Sequence, residues 1–302
     1  MSEIFDLKDA NLKSIKKLQQ KSLEVFLYFK NFCEEHNLLF YFCGGCCIGA
    51  IRHKGFIPWD DDIDVFMPRD DYEKFQILWE KYGDKEKYYY CKTSRDINYH
   101  HTASTFKDLN TTFINRHSRN EDIIHGLGID IIPIDGYPNS KVKRINQVFF
   151  SIIYSLFNAQ RLPDNQGKAI RWLSKIILSL IRSKELRYRT WSYAEKQMSQ
   201  YSIEDCDYIT ELVTGLRYMK LKYPKEIFEE ATYKEFEGYQ LPIPKGYEIY
   251  LKMAFGDYMQ LPPEEDRVPK HDTVYINLNE SYKKFKGIYY CVDEKDVKKD
   301  EQ

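Results

Sequence analysis

Residues 43–65 read CGGCCIGAIRHKGFIPWDDDIDV, and the fold is decided here. Leu38 to Phe42, just upstream, is a short apolar and aromatic run, the pattern of a buried strand. It runs into Gly44-Gly45, Cys46 to Arg52 reads as a short helix, and Pro58 stops any continuation. Ile63 to Met67 reads as a second strand with acids at its start and Pro68 at its end. Strand side chains alternate, so Asp62 and Asp64 share one face while Ile63 and Val65 point into the core. Asp60 joins the two acids if the extended run begins earlier. Carboxylates gathered on one face repel unless a cation lies between them, and the hard oxygens suit Mg²⁺ or Mn²⁺. An acid cluster alone is commonly a solvated turn, but this one sits in an apolar frame of Phe56, Ile57, Trp59, Ile63, Val65 and Phe66.

The glycines carry the complementary half. A strand ending in Gly-Gly and opening a helix lets backbone N–H groups approach an anion closely. Arg52, His53 and Lys54 follow, and Arg and Lys are natural phosphate partners. Gly44-Gly45 alone would be an ordinary tight turn. Followed by basic residues and a metal-competent carboxylate pair, it describes a site for a nucleotide diphosphate and Mg²⁺.

Outward from this stretch, residues 8–36 read as a long amphipathic helix, with Leu12, Ile15, Leu18, Phe26, Phe29 and Cys33 on its apolar face. Asp70 or Asp71 caps a helix running to about Lys81. Strands follow at Tyr88–Lys92, Ala103–Lys107, Thr111–Ile114 and Gly128–Pro133, so the first half alternates as an α/β or α+β fold with a central sheet. The pattern turns helical over 140–200, with a break at Arg161-Leu162-Pro163. The expected organisation is a catalytic core over 1–139, a helical insertion over 140–200, a part completing the core and acceptor site over 201–292, and a disordered charged tail over 293–302.

Composition narrows the function. Net charge is −1, which speaks against nucleic acid as a partner, since that needs a strongly basic face. The 7 cysteines form no paired CxxC arrangement, and an odd count with no apolar signal core at the N-terminus favours a reducing compartment. No apolar run reaches the roughly 18 residues that span a bilayer. The expected location is the cytoplasm.

The 43–65 stretch resembles the LicD family, which includes bacterial phosphocholine transferases and the catalytic domain of the fukutin-related proteins. Its members carry a motif close to GG-x-x-x-GA-x-RH-x-G-x-IPWDDD-x-D, matched here nearly throughout. Gly128-Ile129-Asp130-Ile131-Ile132-Pro133-Ile134-Asp135-Gly136 is similar to the family's IDIFPLDG segment. Leu241-Pro242-Ile243-Pro244, Phe255-Gly256-Asp257-Tyr258 and His271 extend the likeness, which touches residues from about 40 to 271 and is weakest over the helical middle. The resemblance implies a polymerase-beta-like nucleotidyltransferase core with a mixed sheet. It implies metal binding by Asp62 and Asp64, with Asp60 a further acidic participant and Asp130 the third metal carboxylate from a separate strand. Cys46 stands where that wider fold commonly has Ser or Thr, which weakens or removes a hydroxyl contact to phosphate. Asp135, before Gly136, reads as a turn former.

Two further residues stay open in role. Lys107, at a strand end, contacts a phosphate or is an exposed strand lysine. His271, titratable near neutrality, is a general base or a surface histidine after a Pro-rich loop.

The resemblance implies transfer from a CDP-alcohol to a hydroxyl of a cell-surface glycan such as teichoic acid or lipopolysaccharide, releasing CMP. The rival readings are a nucleotidyltransferase making an activated alcohol or sugar, and a non-catalytic nucleotide- or glycan-binding protein. Lys168–Arg189 is rich in Lys and Arg, and its Ile170, Trp172, Leu173, Ile176, Ile177, Leu180 and Ile181 recur at helical steps. This basic amphipathic segment either packs on the core or rests on a membrane, and such acceptors are often built on lipid carriers at the inner face.

Overall fold

The computed structural model describes residues 3–161 and 168–292. The expected tail, 293–302, lies outside them, as does most of the break at Arg161–Pro163. The fold is mixed α/β, as expected from the alternation. Helix α1 (Leu12–Glu35) is capped by the Asn11 side chain, which accepts the Ser14 N–H, and buries Ile15, Leu18, Phe26, Phe29 and Cys33 while Leu12 stays exposed. Strand β2 (Tyr41–Phe42) leads into helix α2 (Gly44–Arg52), and β3 (Asp64–Pro68) leads into helix α3 (Arg69–Tyr82). Pro68, not an aspartate, stands at the start of α3, because the Asp71 carboxylate is committed elsewhere, accepting the Leu39 N–H at 3.1 Å.

The large sheet is ordered β2-β3-β7-β5-β4, where β4 is Tyr88–Cys91, β5 Ser104–Asp108 and β7 Gly128–Tyr137. β7 is the spine. Its first half pairs with β5, its middle runs parallel to β3, and its last residues pair with β8 (Tyr208–Glu211). The parallel register sets Asp64 opposite Asp130, and β5 sets Thr105 on the other side of Asp130.

Aromatic rings fill much of the core. Phe29 and Phe32 of α1 meet Phe75 and Trp79 of α3, and Phe106 of β5 lies 4.7 Å from Trp79, edge to face. Phe66 and Phe42 are covered by the C-terminal part, through Phe228, Tyr250 and Phe236. A second sheet joins β6 (Thr112–Asn115), β12 (Thr273–Asn277) and β1 (Glu3–Ile4), so the two ends of the described chain meet. The helices α4 (Lys141–Ala159), α5 (Lys168–Leu180) and α6 (Lys184–Met198) intervene between β7 and β8.

Asp135 is not a turn residue. It lies inside β7, wholly buried, and takes both Nε and Nη2 of Arg69 at 2.8 Å each. The long β7 overrides the Asp-Gly turn signal because Gly136 is packed against the carbonyls of Tyr201 and Ser202, where a side chain would collide. Asp135→Ala would leave the Arg69 guanidinium buried without its main counter-charge. It is expected to cost roughly 3–5 kcal/mol of stability, read as a lower urea midpoint at unchanged slope.

Candidate active site

The acid run enters β3 with alternating exposure: Asp61, Ile63 and Val65 are buried, while Asp62 and Asp64 are half-buried. The alternation puts Asp62 and Asp64 on one side and Asp61 on the other. Register then places Asp130 beside Asp64. The carboxyl oxygens of Asp60, Asp61 and Asp62 come within 4.8 Å of one another. Asp62 and Asp130 line a recess of about 120 Å³ with Lys107, His101, His117 and His271.

Gln19 of α1 positions the turn before these acids. Its side-chain amide donates to the carbonyls of Ile57 and Asp60 at 3.1 and 2.8 Å. Gly45, near the start of α2, is required by close approach: a Cβ there would lie 2.2 Å from Oδ2 of Asp60. Gly44 has a φ of +52°, and its N–H donates to the Tyr250 hydroxyl at 2.9 Å. The Cys46 thiol is buried beside the Asp62 carbonyl, and burial pushes its pKa well up, so it sits there as an uncharged group.

Burial followed by mutual charge raises these acids. The Asp60 carboxyl is pushed well above the usual range by burial, then by Asp62 and Asp61, and it shares a hydrogen bond with Asp62. Asp64 is raised in the same way, by burial and then Asp62 and Asp130. Asp62 rises to about 6, with burial the main cause and His271 opposing it. His271 sits on the far arm of the site. Burial lowers its pKa, but the Asp61 hydrogen bond and the charges of Asp61, Asp62 and Asp130 outweigh that and lift it to about 10. Its Nδ1 is 3.0 Å from Asp61 Oδ2, and the backbone N–H groups of Lys270 and His271 also donate to Asp61. Asp61 therefore straps Lys270 and His271 to the acid run, with His271 at the recess wall and the Arg267 guanidinium over the Trp59 ring.

The remaining candidates divide. Lys107 reaches the recess, with Nζ donating to the Ile124 carbonyl at 2.9 Å. Arg52 is committed to the carbonyls of Tyr258 and Gln260. Lys54 pairs with Glu235 at 3.3 Å on an exposed hairpin, outside the residues that line the recess. Three participants escaped the sequence reading: Asp61 as the strap anchor, Gln19, and His101, whose Nε2 lies 3.3 Å from Asp130. Only the alternation signalled Asp61, by turning it inward; nothing local signalled Gln19 or His101.

The family model described as LicD/FKTN/FKRP, nucleotidyltransferase domain, matches residues 37–150, a span holding β2, the acid run and Asp130. A Haemophilus influenzae protein named lipopolysaccharide cholinephosphotransferase LicD is 35% identical over 270 residues, 85% of this chain and 96% of its own. Uncharacterized proteins of Rickettsia typhi and Rickettsia prowazekii are each 33% identical, over 75 and 76 residues, 24% of this chain in both cases. With a relative so similar along nearly its whole length, and a family model that matches across the acid run, this chain belongs to the LicD family.

Proposed function

We propose that this protein transfers a phospho-alcohol of the phosphocholine kind from a CDP-alcohol to a glycan hydroxyl, with lipopolysaccharide or a similar cell-surface glycan as acceptor. The carrying observation is that strand register sets Asp64 beside Asp130, while Asp62 and Asp130 line one recess together with Lys107. The named activity of the Haemophilus influenzae relative supports it. We further propose a polymerase-beta-like core and Mg²⁺ or Mn²⁺ as cofactor. The donor set fits such an ion, being all hard oxygens, with acids raised first by burial and then by a mutual repulsion that a cation would relieve. Asp62, Asp64 and Asp130 would hold it, with Asp60 adjoining. A divalent ion there supplies charge neutralisation to the donor diphosphate.

The chain's own residues do the rest. Lys107 offers its ammonium to a phosphate oxygen. His271, carrying its proton, adds positive charge 3.9 Å from Asp62, and this supports a carboxylate of the Asp60–Asp62 pair over His271 as the acceptor of the attacking hydroxyl's proton. The hydroxyl oxygen bonds to the distal phosphorus as the bond to the CMP oxygen breaks, and CMP leaves with the electron pair. The site works on the cytoplasmic side, at the inner face of the membrane where acceptors are assembled.

A panel of CDP-choline, CDP-ethanolamine, CDP-glycerol and CDP-ribitol with a glycan acceptor should release CMP and label the acceptor. Pyrophosphate released from CTP instead would favour nucleotidyl transfer. Asp62→Ala and Asp64→Ala should each lower turnover roughly a hundredfold or more with the melting temperature held, and near-normal turnover in either would remove this reading of the recess.

Cation binding should depend on pH with a defined sign. An Asp62 carboxyl raised to about 6 must lose its proton to ligate, so Mn²⁺ affinity should climb as pH rises from 5 through 7. Calorimetry across this range checks it, and Asp62→Asn should lower the affinity and flatten the dependence.

A further inference from the structure

Helix α5 is apolar on two sides. Ile177, Leu178 and Ile181, just past its end, pack inward against the main core, and Arg187 of α6 donates to the carbonyls of Leu178 and Ile181. At about 100° of rotation per residue, Trp172, Leu173, Ile176 and Leu180 fall within a single arc turned away from those three. Trp172, Leu173 and Leu180 are 67%, 52% and 77% exposed. A helix with only a core to cover would be polar on this side. The neighbouring α4 does the same, turning Val142, Ile145, Phe149 and Ile152 outward at three- and four-residue steps.

Charge selects the occupant. Exposed Lys175 edges the α5 arc, and exposed Arg182 and Lys184 follow it. Glu185, the single acid of the 168–189 segment, is already engaged by Arg95 and Arg189. The whole chain has a net charge of −1, so this basic concentration is local. A second copy would set like charge against like charge. An anionic bilayer accepts both components, the apolar arc at the acyl boundary and the cations among the phosphates. We propose that the outer face of α5 seats the protein on an anionic lipid surface.

The face belongs to the same body as the recess. The C-terminal end of α4 is tied to the loop before β5, with Asn98 donating to the Asn158 carbonyl at 3.0 Å and His100 Nδ1 3.1 Å from the Ala159 carbonyl. His101, next in the chain, touches Asp130. The proposal concerns binding and stands whichever group is transferred.

The full chain is mixed at low salt with vesicles of phosphatidylcholine alone or of phosphatidylcholine with phosphatidylglycerol, then floated. It should rise only with the anionic vesicles, and raising the salt should release it. The Leu173→Asp/Leu180→Asp variant, changed only at exposed positions, should melt as the parent does and stay at the bottom. Trp172→Phe should still float but lose most of the vesicle-induced blue shift in tryptophan emission. Three results would overturn the proposal: no flotation with the anionic vesicles, equal flotation of the double variant, or a concentration-dependent dimer in sedimentation that the double variant abolishes.

Discussion

Aspartates 60, 62, 64 and 130 are driven together at the head of β3 and β7, and their mutual repulsion is the constraint the surrounding elements answer. Their raised pKa values express it, with burial the leading cause and neighbouring carboxylates next. Each neighbour holds one of them in place. Gly45 yields the space that Asp60 fills, Gln19 fixes the turn behind it, and the β3–β7 register prevents Asp64 and Asp130 from moving apart. Such an arrangement opposes folding. It persists because the stacked rings of α1, α3 and β5 make a core large enough to offset it, as expected where function overrides local preference.

β7 divides this labour along its own length. Asp130, in its accessible first half, faces the recess, whereas Asp135 is sealed in the second half by the Arg69 fork. Four residues of one strand separate an acid kept open to solvent from one neutralised by a permanent partner. The difference lies in what packs alongside: β3 and β5 leave the first position open at a sheet end, and α3 delivers a guanidinium to the second.

Much of this was legible in residues 38–68, because alternation is a local property. Ile63 and Val65 inward with Asp62 and Asp64 on the accessible side needs nothing but strand geometry, and the helix after Gly44-Gly45 follows from the same stretch. Partners from distant segments were not legible. Arg52 and Lys54 carry the right charge beside the motif, yet Arg52 is committed to the carbonyls of Tyr258 and Gln260 and Lys54 to Glu235. Asp135 sits before a glycine and still belongs to a strand, because β8 extends the ladder past it. His101 reaches Asp130 only through the pairing of β5 with β7. The double-sided α5 was invisible to periodicity, which reports that apolar residues share a helix but not which of them find cover.

The strap also bears on how the chain acquires its site. Asp61 and His271 are 210 residues apart, and the strand that follows the strap, β12, pairs with both β6 and β1. On a ribosome the acid run emerges early, while its imidazolium counter-charge is still untranslated. A contact of such separation is costly to close and forms late. The nascent chain thus carries its acid run without the imidazolium partner until most of the sequence has been made.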